Sequence, residues 1–230
     1  MVIASSLAGG LVLLAVLAYR NRNLRRLVAI LWDIATFWPR ANHPLTPPSY
    51  GGHTVYELLI RLDTLHADTD TRVLFAAHSQ GTIIAAATLL HDTGKTRPAV
   101  GLLTFGSPLR RLYAQNFPAY FGPKALKRLR DRQPSLWINL WARSDPIGGW
   151  VLDDQNRSRQ AAFETVDMRV LDVDGGLKAL PDGTYHPICG HSGFWTRDEY
   201  DDALAALQSK MLPHTTIDTT ATAPPAAQAL

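Results

Sequence analysis

The chain has 230 residues, 46% hydrophobic and 19% charged, enough apolar content for one sizeable core. Its single cysteine, Cys189, excludes an intramolecular disulfide and fits a reducing compartment. The net charge of +3 is local: residues 1–40 hold five arginines against Asp33, leaving 18 basic and 19 acidic residues elsewhere, which argues against a nucleic-acid binder.

Residues 1–19, "MVIASSLAGGLVLLAVLAY", carry no charge, and arginines follow at once. At 1.5 Å per residue the run spans a little under the roughly 30 Å of a bilayer core. A secretory signal peptide is the competing reading. It requires positive charge ahead of the apolar run and a small-residue cleavage site behind it; here the charge lies behind, and "YRNRNLRR" is no such site. The expectation is a transmembrane helix over 1–19, with the N-terminus outside and the soluble domain cytoplasmic. Within residues 20–40, "LRRLVAILWDIATFW" places Leu24, Leu27, Val28, Leu31, Ile34, Ala35 and Trp38 at helical spacing. That pattern suits a basic juxtamembrane helix lying on the membrane surface, and suits a plain core helix equally. Pro39 ends it, and "NHPLTPPSYGG" reads as a prolyl linker into a soluble domain over 41–212.

From Thr54 the patterns alternate. "TVYELLIRLDTLH" reads as a helix with Val55, Leu58, Leu59, Leu62 and Leu65 on one face. Strands are expected at 72–77, 100–105, 136–141 and 166–173, and helices at 82–90, 123–130 and 199–211. Alternation of this kind predicts an α/β fold with parallel strands joined by crossover helices. The last stretch, "TTIDTTATAPPAAQAL", cannot bury enough apolar surface to order itself, so 213–230 reads as a disordered tail. Within "VLFAAHSQGTIIAAATLL" the chain passes from a buried strand to a helix over Ser79 with no room for a loop. Such strain is kept mostly at functional sites.

Ligand sites in parallel sheets lie beyond the carboxyl ends of the strands. There the sequence holds, in order, "AHSQG" with Ser79, "GSPLRR", "ARSDPIGG" with Asp145, and past a loop "YHPICGHSGFW" with His186 and His191. These motifs resemble the α/β-hydrolases of the lipase and esterase type. "AHSQG" is similar to the nucleophile elbow G-x-S-x-G, with Ala77 at the first glycine, and Ser, Asp, His is that family's order. "WDIATFWPRANHPLTPP", "AHSQGTIIAAATLL" and "TFGSPLRRLYAQNFPAYFGP" resemble, more narrowly, the lipase-like domain of large bacterial membrane proteins, over roughly residues 30 to 200.

The resemblance implies acyl transfer. Ser79 is then the nucleophile, His191 the base, Asp145 the acid that orients it, and the Gln80 N–H one oxyanion donor. Gly81 would let the helix pack close behind the elbow. His78, Tyr113 and Phe117 are candidate substrate contacts, with packing as the competing role for His78. Each residue also has a plainer reading: Ser79 as a helix N-cap, Asp145 as a turn former before Pro146, Ser107 as a turn shaper. His186 competes with His191, but it precedes Pro187 and is held extended, whereas Gly190 leaves His191 freer. No cofactor is called for. His186, Cys189 and His191 fit no usual zinc spacing and lack a fourth ligand, so no metal is expected. Residues 110–132 carry seven basic residues against Asp131, interleaved with Tyr113, Phe117, Tyr120 and Phe121. They form either a solvated helical face or a rim that meets anionic lipid headgroups.

The hydrolase fold usually has about eight strands, and a second oxyanion donor comes from an early one. Here four strands are recognisable, none ahead of Ser79, so the fold is expected to be partial. Either an upstream segment of a longer protein, a partner chain or the "HPLTPPSYGG" loop covers that edge. Two functions stay open: a membrane-anchored serine hydrolase acting on a lipid or small-molecule ester, and a catalytically weak or inert hydrolase-like module serving as a membrane-tethered interaction domain.

Overall fold

The computed structural model describes residues 20–21, 25, 51–68, 70–92, 99–133, 135–152, 166–171, 181–184 and 190–212. The expected membrane helix at 1–19, most of the segment 20–40 and the tail 213–230 lie outside them. Among the described residues no helix is long and apolar enough to cross a membrane.

The first helix, α1 (Gly51–His66), starts three residues earlier than the sequence suggests, taking in both glycines of the expected linker. First-turn N–H groups have no intrahelical partner, so glycine loses little there. Its buried face is narrower than the periodicity predicts: Val55 and Leu62 are buried, but Leu65 is 40% exposed. Leu58, Ile60 and Leu65, with Thr54, Glu57, Arg61 and Thr64, line an outward groove of about 590 Å³, formed by α1 alone among the described residues.

Four strands follow, β1 (Leu74–His78), β2 (Gly101–Phe105), β3 (Trp137–Trp141) and β4 (Asp167–Arg169). They form one sheet in the order β1-β2-β3-β4, every pair parallel. The α/β architecture with four parallel strands is thus as the sequence predicts. The last strand is shorter than expected, three residues rather than eight, and residues 172 and 173 lie outside the description.

Helix α2 (Gln80–His91) joins β1 to β2; α3 (Pro123–Arg132) precedes β3 and begins with the proline favoured at a first helical position. A sequential parallel order with one crossover hand puts the connecting helices on one face. Alternate strand residues accordingly feed two cores. Leu102, Trp137 and Val166 pack with α1, α2, α3 and the 109–121 segment. Leu103, Phe105, Ile138, Leu140 and Met168 face the other way, onto α4 (Asp198–Met211). Helix α4 packs on β2 and β3. Residue Ala76 of β1 remains exposed.

Candidate active site

Ser79 sits between β1 and α2 with φ 52° and ψ −124°. Positive φ is uncommon for a residue with a side chain and costs of order 1–3 kcal/mol. The side chain makes no capping hydrogen bond to α2, which removes the N-cap reading. Instead Ser79 Oγ lies 2.8 Å from His191 Nε2. The turn is held from below: the Ser79 N–H donates to the Phe105 carbonyl (3.1 Å), and the Thr82 hydroxyl donates to the Ser79 carbonyl (2.7 Å). Thr82 Oγ1 is also 3.0 Å from Ser107 Oγ, which accepts the Leu109 N–H at 3.4 Å. Ser107 therefore shapes the turn after β2, as its position in "FGSPL" suggests.

Ala77, standing where the elbow pattern has glycine, is buried. Gly81 departs from what the resemblance implies. A Cβ there would come no nearer than 3.9 Å to the Ala77 Cβ, an ordinary contact, so close packing does not require glycine at this position.

His191 Nδ1 donates to Asp145, with 2.9 Å to Oδ1 and 3.0 Å to Oδ2. Asp145 is 1% exposed and also accepts the N–H groups of Ile147 (2.9 Å) and Gly148 (2.8 Å). Burial pushes its carboxyl up, but the bonds from His191, Gly148 and Ile147 and the nearby imidazole outweigh this and hold it below the usual carboxylate range. The acid is therefore charged at neutral pH. An ionised acid, a ring fixed with its proton on Nδ1 and a hydroxyl facing Nε2 form a continuous hydrogen-bond chain in which Nε2 is free to accept.

The loops that carry these groups are tied together. Ser144 Oγ accepts the Gly190 N–H at 3.0 Å, joining the acid loop to the histidine loop. Arg111 Nη1 donates to the Asp145 carbonyl at 2.6 Å, and Arg110 lies 3.9 Å above the Trp150 ring. Gly106, with φ +58°, and Gly148 meet back to back. A Cβ on Gly148 would overlap the Gly106 backbone and the Asp145 carboxylate. The sequence reading missed these supports; "DPIGG" after a strand was the available signal for a close backbone approach.

The other predicted residues fall differently. His78 is half-buried, with Nε2 2.7 Å from the His191 carbonyl. Tyr113 is 1% exposed, in the core, its ring against Phe117 and Phe121, where it offers no surface to a ligand. Phe117 is half-buried beside it. Gln80 begins α2 directly after the elbow. His186 and Cys189 lie outside the described residues. Of the seven basic residues in 110–132, Arg110 and Arg111 brace the acid loop, and Arg132 donates to the carbonyls of Leu89, Leu90 and Asp92 at the end of α2. Lys124, Lys127, Arg128 and Arg130 face outward on α3. Comparison of the chain with protein families, with curated proteins and with solved structures finds no match.

Proposed function

We propose that the chain is a membrane-anchored serine hydrolase of the α/β-hydrolase type, cleaving carboxylic esters of lipids or smaller molecules through an acyl-enzyme. The observation that carries this reading is the unbroken hydrogen-bond chain from Ser79 through His191 to buried Asp145. The strained elbow, at the carboxyl end of a parallel strand, supports it.

Each residue then has a step. His191 Nε2 takes the hydroxyl proton as Ser79 Oγ attacks the ester carbonyl carbon, and Asp145 stabilises the imidazolium that results. The oxyanion forms at the N-terminus of α2, where the Gln80 N–H and the helix dipole favour negative charge. Collapse of the tetrahedral species breaks the carbon–oxygen bond to the alcohol, which leaves with the proton from His191. Water, deprotonated by the same ring, attacks the acyl-enzyme and releases the acid with Ser79 restored. Residues 1–19 anchor the chain, and the domain faces the cytoplasm. The second oxyanion donor comes from outside the described sheet: from an upstream segment, a partner chain or the "HPLTPPSYGG" loop.

The test is labelling with a fluorophosphonate probe, which reports an activated serine without needing the substrate. The full chain in detergent should label, and Ser79→Ala should not. Labelling unchanged in the variant would move the nucleophile elsewhere; no labelling of the wild type would favour an inert, membrane-tethered interaction module.

A further inference from the structure

We infer that His78 is a positioning residue for the catalytic base: its ring N–H grips the main chain of His191 and fixes where that ring stands relative to Ser79. The inference rests on the Ser79–His191–Asp145 reading and adds to it a residue that the triad does not contain.

His78 is the last residue of β1 and the direct neighbour of Ser79. Its Nε2 lies 2.7 Å from the carbonyl oxygen of His191. A carbonyl only accepts, so Nε2 carries the proton. Burial holds the ring below the ordinary histidine range, against the opposite effect of the bond to that carbonyl. At neutral pH it is therefore uncharged, with its one proton committed to His191.

The ring is also seated. It stacks on Phe105 at 5.4 Å, meets Trp195 edge-on at 5.5 Å and lies 4.9 Å from the His191 ring, tilted by 39°. Beneath the two imidazoles is Gly106, where a Cβ would stand 3.0 Å from His78 Nε2 and 3.3 Å from His191 Cε1. A side chain there would crowd both rings by a few tenths of an ångström.

His191 comes from a loop more than a hundred residues downstream, and among the described residues three contacts besides its bond to Ser79 locate it. Its ring is held by Asp145, and the preceding residue is held through the Gly190 N–H on Ser144. Its own main chain is held by His78. Only the third of these starts from the residue attached to the nucleophile. Nucleophile and base are therefore referenced to each other by one rigid strand end, independently of the acid. A proton transfer over 2.8 Å is sensitive to small displacements; a shift of about 1 Å can cost on the order of 100-fold in rate. His78 touches no reacting atom, so its removal should act on turnover and leave substrate binding alone.

The experiment uses the full chain in detergent with a short activated ester, comparing wild type, His78→Phe and His78→Gln. Phenylalanine keeps the ring and removes the donor; glutamine carries an amide N–H at nearly the position of Nε2. His78→Phe should lower kcat by about 10- to 100-fold with KM within about twofold, and should slow fluorophosphonate labelling equally. His78→Gln should recover most of the loss. Wild-type kcat in His78→Phe would overturn the inference, as would a change confined to KM, which would make His78 a substrate contact. Glutamine no better than phenylalanine would reduce its role to packing and overturn it too. If His78→Phe fails to fold by circular dichroism, His78→Met against His78→Gln makes the same comparison. Failure of the underlying reading is distinct: there the wild type itself does not label, or labels still in Ser79→Ala.

Discussion

Asp145 shows how the acid of the proposed triad can also contribute to stability. It is buried, ionised and saturated by donors from His191, Ile147 and Gly148. Its folded pKa lies below the unfolded value, so the stabilisation is present above the ordinary carboxylate range and is lost as pH falls through the folded pKa. Asp145→Asn should therefore cost about 1–3 kcal/mol in urea unfolding at pH 7. The gap between variant and wild type should close only below the ordinary carboxylate range, as the wild-type acid takes up its proton. Probe labelling should fall on the order of 10³- to 10⁴-fold with the fold retained. The meeting of Ser79, Asp145 and His191 was legible because strand ends and their order are written locally. The glycine requirements were legible only in part. The elbow pattern points to Gly81, yet a Cβ fits there; Gly148, signalled only by "DPIGG", sits against the Gly106 backbone. Gly81→Ala should leave labelling unchanged and raise stability by about 0.4–1 kcal/mol through lower unfolded-state entropy. Gly148→Ala should destabilise by more than 1 kcal/mol and slow labelling, since the acid loop must shift. Thermal melts of the two variants decide between these assignments; equal behaviour would contradict them.

At the scale of elements, apolar runs and helical periodicity located four strands and four helices within a few residues, because each carries apolar residues at its own repeat. What they hid is a polar line through the sheet. Trp137 Nε1 donates to Thr104 Oγ1, which donates to Asn139 Oδ1; Asn139 Nδ2 donates to Asp167 Oδ1. Asp167, 1% exposed in β4, also accepts the N–H groups of Val151 and Leu152, each at 2.7 Å. A carboxylate inside "VDMRVLDV" reads as an interruption of a strand, and nothing local shows that its partners are main-chain donors beyond β3. The arrangement ties β4 to the loop that leaves Asp145. Asp167→Ala would take an acceptor from three donors: the buried Val151 N–H, the part-buried Leu152 N–H, and Asn139 Nδ2, which keeps the Gly149 carbonyl. A buried donor left unsatisfied costs about 1–3 kcal/mol, so a loss of at least about 1 kcal/mol is expected by denaturant unfolding. Labelling of the surviving folded fraction should also slow, because residues 147–151 lose their anchor. Full stability in Asp167→Ala would show that relaxation or water replaces the carboxylate at no cost.

At the scale of the whole molecule, the sequential order β1-β2-β3-β4 places the elbow strand at one margin of the described sheet. Ser79 and its hydrogen-bonded partners therefore stand beside an edge, where the sequence already raised the question of what completes it. The hydrogen-bond directions define a test. Ser79 N–H donates to Phe105, and Gly101 N–H donates to Val73, both across the β1–β2 ladder. In a parallel ladder alternate residues of a strand point the same way. The Phe75 and Ala77 amides therefore face β2, and those of Leu74 and Ala76 face away from it. Ala76 is exposed, and Leu74 and Phe75 are half-buried, whereas β2 and β3 are buried at every position. An edge strand of this kind opens without disrupting the core, and amides freed by local opening exchange well before the global limit. In hydrogen exchange on the full chain, the Leu74 and Ala76 amides should exchange at least about 100-fold faster than those of Leu103 and Ile138, a difference of roughly 2.7 kcal/mol in opening free energy. Ala76→Lys, which places a charge where such edges are commonly guarded, should then reduce self-association of the detergent-solubilised chain without altering probe labelling. Equal protection of Leu74, Ala76 and Leu103 would refute the open edge and require a further strand against β1.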